Sequence, residues 1–371
     1  MREGGDVAPF GVYVHVPFCV RRCDYCAFAT WTDRHHLTVP YVRACERELV
    51  RAVADGMPPA SSVFFGGGTP SLLAPELLAG ILAATPREPG AEVTVECNPE
   101  TVDTAKLRGY RDAGVTRVSF GVQSMTPHVL AALGRLHDAP AVPLAVAAAS
   151  AAGFATTYSV DLIFGGAGEG LADWSATLAA VLALDPPPAH VSAYGLTVEP
   201  GTPLAADAAR HPDPDDQAEK YELADELLAA AGLEWYEISN WARPGAECRH
   251  NQLYWAQGDY RGVGCAAHSH ARTDHGARRW WNVRTPERYL DRMAAGVSPE
   301  AAGEDLDAGT RRLEAVQLAL RTRDGVPIDA LPGWADDPAL ASLVEPAGLG
   351  RLVLTRRGRL LANEVALRLQ V

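Results

Sequence analysis

The sequence predicts an α/β fold: a partial (β/α) barrel followed by a small winged-helix-like module. Two observations predict the barrel. Short β-rich apolar runs alternate with helical patterns up to about residue 240, and glycine-rich or polar motifs fall directly after those runs. A third observation, renewed helix and strand patterning after residue 304, predicts the module.

In order, the strand candidates are "VYVHV" (12–16), "SVFFG" (62–66), "EVTVEC" (92–97), "TRVSFGV" (116–122), "TYSVDLIFG" (157–165), "HVSAYGL" (190–196) and "EWYEIS" (234–239). Helical segments such as "PYVRACERELVRAVADG" and "DDQAEKYELADELLAAAGL" lie between them. Repeated βα units build a parallel sheet, either a curved, partly closed barrel or an open doubly wound sheet. Both architectures place ligand-binding residues at the C-terminal ends of the strands. "GGGTP" (66–70), "ECNPE" (96–100), "GVQS" (121–124) and "DLIFGG" (161–166) all fall there.

Residues 1–240 are thus expected to form the barrel. Residues 241–304, rich in Gly, His, Arg and aromatics with little periodicity, read as a long functional loop region packed on it. Residues 305–371 read as amphipathic helices, then strand, turn, strand and terminal helix.

Composition bounds the function. The chain has 371 residues, 47% hydrophobic and 21% charged, values of a folded protein with a sizeable core. A formal net charge of −13 disfavours non-specific binding to nucleic acid or anionic lipid. "MREGGDVAPFG" holds no apolar run of signal-peptide length, and no stretch approaches the roughly 20 apolar residues of a membrane helix. The expectation is a cytoplasmic protein without membrane insertion, peripheral association and oligomeric state being left open.

Seven cysteines argue against a disulfide framework in that compartment. Cys45, Cys97, Cys248 and Cys265 are scattered and read as small buried hydrophobes. Cys19, Cys23 and Cys26 instead fall on one loop after the first strand. Thiolates serve zinc or iron–sulfur clusters. Structural zinc would want a second ligand pair, which this spacing does not supply. A cubane cluster held by three cysteines leaves one iron open for another ligand.

"CVRRCDYC" together with "GGGTP" resembles the radical S-adenosylmethionine superfamily. That resemblance implies a [4Fe-4S] cluster on Cys19, Cys23 and Cys26, S-adenosyl-L-methionine on the open iron, and release of a 5′-deoxyadenosyl radical. "YVHVPFCVRRCDYCAF", "FFGGGTPSLL", "VECNPE", "SFGVQS", "DLIFG", "RHNQLYW" and "GDYRGVGCAAHS" further resemble the oxygen-independent coproporphyrinogen III oxidase family over nearly the whole chain. By that resemblance Tyr13, Gly67 and Glu96 would contact the cluster-bound S-adenosyl-L-methionine. Gly68, Thr69, Gln123, Arg135 and Asp161 would correspond to positions for a second molecule of it. The residues alone also admit plainer roles: Tyr13 as a core aromatic, Gln123 and Asp161 capping strand ends, Arg135 as a solvated helix charge.

Two departures matter. The oxidases carry another cysteine two places after the third, where this chain has Phe28, and they have a longer N-terminal extension. Both point to the haem-chaperone branch of the family, whose H-N-x-x-Y-W motif matches His250, Asn251, Tyr254 and Trp255. That likeness implies haem as cofactor, haem-accepting partners such as respiratory proteins, and loss of the oxidase reaction. His250 is the candidate haem ligand, with packing inside the loop as its plainer role, and Arg243, Arg249 and Arg261 are candidate propionate partners. A metal site on His268, His270 and His275 lacks supporting spacing. The alternative function is the oxidase itself, decarboxylating two propionates to vinyl groups by radical chemistry.

Overall fold

The structure, a computed structural model, describes residues 8–370. The N-terminal residues read above as lacking a signal peptide lie mostly outside it. Six βα units begin the chain: β1 (Phe10–Val16), α1 (Thr38–Ala54), β2 (Ala60–Gly67), α2 (Pro75–Ala83), β3 (Arg87–Cys97), α3 (Thr104–Ala113), β4 (Arg117–Gln123), α4 (Pro127–Ala132), α5 (Ala141–Ala151), β5 (Tyr158–Phe164), α6 (Leu171–Leu182), β6 (His190–Gly195) and α7 (Pro214–Ala230). The six strands pair in parallel in chain order. Helices cover the outer face, so Val12, Val14, Val63, Phe65, Val93, Val95, Val118 and Phe120 are all buried in one core. Burial on both faces explains why these strands read as nearly continuous apolar runs. Alternate residues of β2 to β6 turn inward and line a single cavity, so the sheet is curved, and β1 and β6 do not pair with each other to close it.

Two expectations are corrected. "EWYEIS" is not a seventh parallel strand: only Glu234–Glu237 (β7) is extended, and it turns back into β8 (Asn240–Ala242), which pairs antiparallel with β6. Residues 241–304 are not a loop region. They hold α8 (Arg249–Trp255), β9 (Asp259–Val263), β10 (His268–Thr273), β11 (Gly276–Asn282), α9 (Pro286–Ala294) and β12 (Glu300–Asp307). β9 lies parallel to β1 on the side away from β2, and β10 to β12 extend the sheet antiparallel. Their polar texture has a physical reason. Arginine guanidiniums stand over Trp280 from Arg261 at 5.6 Å and Arg278 at 5.5 Å, and His268 stacks on Trp281. Planar cations here do the packing that apolar chains do in β1 to β6.

The remaining chain runs α10 (Ala308–Leu320), β13 (Val326–Pro327), α11 (Pro338–Ala341), β14 (Val344–Pro346), β15 (Arg351–Leu354), α12 (Arg356–Leu360) and α13 (Ala362–Ala366). Its three short strands form a separate antiparallel sheet around an apolar cluster of its own, including Leu320, Val326, Leu331, Val344, Leu352 and Val365. It is tied to α7 by Arg356 and Arg359, which reach Asp225 at 2.7 and 2.8 Å. Among the described residues, no helix is long and apolar enough to cross a membrane.

Candidate functional site

The site grows from the turn after β1. The loop's two ends are clamped: the Trp31 amide donates to the Pro17 carbonyl at 2.8 Å, and the Cys19 amide donates to the Trp31 carbonyl at 3.0 Å. Between these clamps the chain can only bulge outward, carrying Cys19, Cys23 and Cys26. Inside the bulge the Cys26 amide donates to the Cys23 carbonyl at 3.2 Å, and the Arg22 guanidinium reaches the Cys26 carbonyl at 3.0 Å. All three thiols are free and line one cavity of about 670 Å³. Burial pushes the Cys19 and Cys26 thiols up, so binding a metal there would displace protons.

The glycine turn after β2 seats itself against this bulge. The Gly68 amide donates to the Val16 carbonyl and the Thr69 amide to the Phe18 carbonyl, both at 2.8 Å, and the Thr69 hydroxyl approaches the Cys19 sulfur at 3.6 Å. Gly67 has φ +107°, and a Cβ there would stand 2.4 Å from the His15 ring. A Cβ on Gly68 would stand 2.7 Å from the Phe18 carbonyl oxygen and 3.0 Å from the Cys19 sulfur. Only glycine fits either place.

Next along the sheet is Glu96, whose Oε2 accepts the Gly67 amide at 3.3 Å. Burial, and then the charge of Asp161, raises its carboxyl to about 8, so at neutral pH it carries a proton. Asp161 accepts the Ser119 and Ser192 hydroxyls, each at 2.7 Å, yet burial still lifts it above the usual range. Gln123 ends β4 at φ +65°, beside a register shift against β5, and its Oε1 has no partner among the described residues. Arg135 is no solvated charge: it donates to Asn98 Oδ1 at 2.9 Å, the Gly121 carbonyl at 2.8 Å and the Cys23 sulfur at 3.4 Å. Gly67, Gly68, Thr69, Glu96, Gln123, Arg135 and Asp161 all line the cavity with the cysteines.

Two candidates do not. Tyr13 lies behind Phe64, ring against ring with centroids 6.4 Å apart, and its hydroxyl meets His15 Nδ1 at 3.1 Å. His250 is 1% exposed on the far side of Phe64, and both its nitrogens are engaged, Nδ1 with the Ser62 hydroxyl at 2.9 Å and Nε2 with the Tyr254 hydroxyl at 3.0 Å. Burial takes its pKa down to about 3. So placed, His250 stands off the cavity that holds the cysteines, in its plainer packing role. Arg243, Arg249 and Arg261 also stand off the cavity; Arg249 donates to the Gly90 carbonyl at 2.6 Å, and Arg261 approaches Glu48 at 3.5 Å. His268, His270 and His275 do not converge on a metal site.

Among the described residues no three His, Cys, Asp or Glu side chains gather closely enough for a single ion. That fits zinc poorly. A cubane cluster spreads its thiolates wider than one ion does, and three thiols on one bulge, apart from Cys97 and Cys248 that line the cavity from β3 and the start of α8, suit such a cluster with an open iron.

The cavity also has residues that sequence reasoning passed over: Thr94, Arg117, Ser119, Ser159, His190, Ser192 and Tyr194. A signal existed. Polar residues at every second place inside "TRVSFGV", "TYSVDLIFG" and "HVSAYGL" break otherwise apolar runs, as an inward face meeting a ligand would.

A family profile described as the radical SAM superfamily matches residues 13–181. The chain is 43% identical to the haem chaperone HemW of Mycobacterium tuberculosis, over 96% of this chain and 94% of that protein. It is 34% identical to the haem chaperone HemW of Escherichia coli, over 96% and 97% respectively. Among solved structures, coproporphyrinogen III oxidase (HemN) of Escherichia coli, described as a radical SAM enzyme, superposes with a TM-score of 0.82 at 22% identity, covering 97% of this chain and 89% of that one. At that identity the last likeness speaks for the fold alone.

Proposed function

This chain belongs to the HemW family of radical SAM proteins, and from that premise we propose that it binds haem and passes it to haem-dependent acceptor proteins. The observation that carries the reading is Phe28. It stands where the oxidases of the wider family carry a cysteine, it is 65% exposed, and it lines the mouth of the cavity. An exposed aromatic at a cavity mouth favours a flat apolar ligand over a further thiolate.

Cys19, Cys23 and Cys26 would hold a [4Fe-4S] cluster through three irons, with S-adenosyl-L-methionine on the fourth, contacted by Gly67 and Glu96. When bound, that pair supplies one-electron chemistry. The chain's own contribution begins with Glu96, whose carboxyl is protonated while no cation faces it and releases that proton as an ammonium group arrives. Gly67 and Gly68 let the turn after β2 pack directly against the cysteine bulge, and Arg135 fixes that bulge to β4.

The test is anaerobic. Reconstituted protein should take up haem with one-to-one stoichiometry, followed by its Soret absorption, and should leave coproporphyrinogen III unconverted. Efficient decarboxylation of coproporphyrinogen III would overturn the chaperone reading in favour of the oxidase.

A further inference from the structure

The cavity is deeper than its rim requires. Arg117 opens β4 and Gln123 closes it, so the two stand about 20 Å apart along one strand, yet both line the same cavity. At the lower level neighbouring strands turn polar side chains inward: Thr94 on β3, in register with Arg117 on β4, and His190 at the start of β6. They are 1%, 6% and 2% exposed. Each keeps an atom without a partner among the described residues: Thr94 Oγ1, Arg117 Nη2 and His190 Nδ1.

All three can donate. The Tyr236 hydroxyl accepts the Cys248 amide at 3.4 Å and meets His190 Nε2 at 2.8 Å. With the hydroxyl hydrogen on Nε2, the neutral ring carries its proton on Nδ1, the tautomer that an anion at Nδ1 would select. Burial, followed by the charge of Arg117, keeps that ring well below the ordinary histidine range. Arg117 donates from Nη1 to the Ala246 carbonyl at 2.9 Å, a neutral acceptor. Among the described residues no carboxylate hydrogen-bonds to Arg117: Glu92 caps the Arg249 and His250 amides, and Asp161, close enough to feel the Arg117 charge, holds two serine hydroxyls. A buried guanidinium whose partner is neutral carries a desolvation cost that an arriving anion would offset.

We propose that Thr94, Arg117 and His190 form a carboxylate-binding subsite on the cavity floor, which receives a propionate of the bound haem. The assignment rests on the haem reading above and adds to it the end of the ligand that the floor holds.

The experiment titrates the reconstituted full-length protein with haem and with haem dimethyl ester, whose carboxylates are capped. Wild-type protein should bind haem at least about tenfold more tightly than the ester, the scale of a charge-assisted hydrogen bond. Arg117→Gln should bring the two affinities to within about threefold, while Arg117→Lys, which keeps the charge, should retain most of the preference. Equal wild-type affinity for haem and ester would overturn the subsite and leave the haem reading standing, as would an intact preference in Arg117→Gln. If Arg117→Gln does not fold, judged by its melting transition, the wild-type comparison decides. Failure of wild-type protein to take up either compound would sink the haem reading itself, and this assignment with it.

Discussion

The cysteine bulge and the layer around His250 stand on opposite sides of Phe64, and they treat their polar groups in opposite ways. At the bulge, Cys23 and Cys26 are only half-buried, Gln123 Oε1 and Arg135 Nε lack partners among the described residues, and burial holds Glu96 protonated. Around His250 each imidazole nitrogen has a hydroxyl partner and the ring is stacked on Phe64 at 5.3 Å. Satisfied groups hold a fold together, and unsatisfied ones mark where something else is meant to bind. A motif of chemically versatile residues is therefore a poor guide to ligand contact until the partners of each atom are known.

Substitutions should separate the two sides cleanly. The largest effect belongs to the bulge: Cys19→Ala, Cys23→Ala or Cys26→Ala should each abolish iron incorporation and the brown absorption on reconstitution. The melting transition of the metal-free protein should shift by no more than about 1 kcal/mol. Zinc copurifying at full occupancy, with no iron taken up, would break the comparison at its root.

Glu96 comes next. Its carboxyl has a folded-state pKa near 8 against an ordinary 4.5, so its contribution to stability is complete below about pH 4.5 and is lost as pH rises through 8. Relative to Glu96→Gln, ligand-free wild-type protein should lose on the order of 3–5 kcal/mol across that window, measured by urea unfolding of both proteins. Glu96→Gln, which mimics the protonated form, should flatten that slope. A slope unchanged in Glu96→Gln would remove Glu96 as its origin.

His250→Ala should show the reverse pattern to the cysteines. Stranding Ser62 and Tyr254 and emptying the space beside Phe64 should cost about 2–4 kcal/mol, while haem affinity per folded molecule stays the same. A selective loss of haem uptake at unchanged stability would return His250 to the ligand set.

The first six strands were readable because each buries both faces and is followed at once by its motif, so local pattern and final place agree. Cys19, Gly67, Glu96, Gln123 and Asp161 could be placed on one rim for the same reason. β9 to β12 were not readable, since their stability comes from distant partners: Tyr260 joins β1 at Gly11, and Trp280 is packed by arginines from two strands. That Tyr13 and His250 lie off the cavity was not readable, because alternation tells which face a residue takes but not whether a neighbour such as Phe64 stands in front of it. Arg117 and His190 went unnoticed at strand beginnings, where a polar residue looks like an ordinary boundary.

The pairing of β1 with β9 sets a clock. Phe10 finds its neighbour on that side only when Asp259 has been made, and at ribosomal speeds of about 5–20 residues per second the delay is roughly 10–50 s. Throughout it β1, with the thiol-bearing turn at its end, is the outermost strand of a growing sheet. Only after that interval of tens of seconds is the outer side of Phe10–Val14 covered by β9.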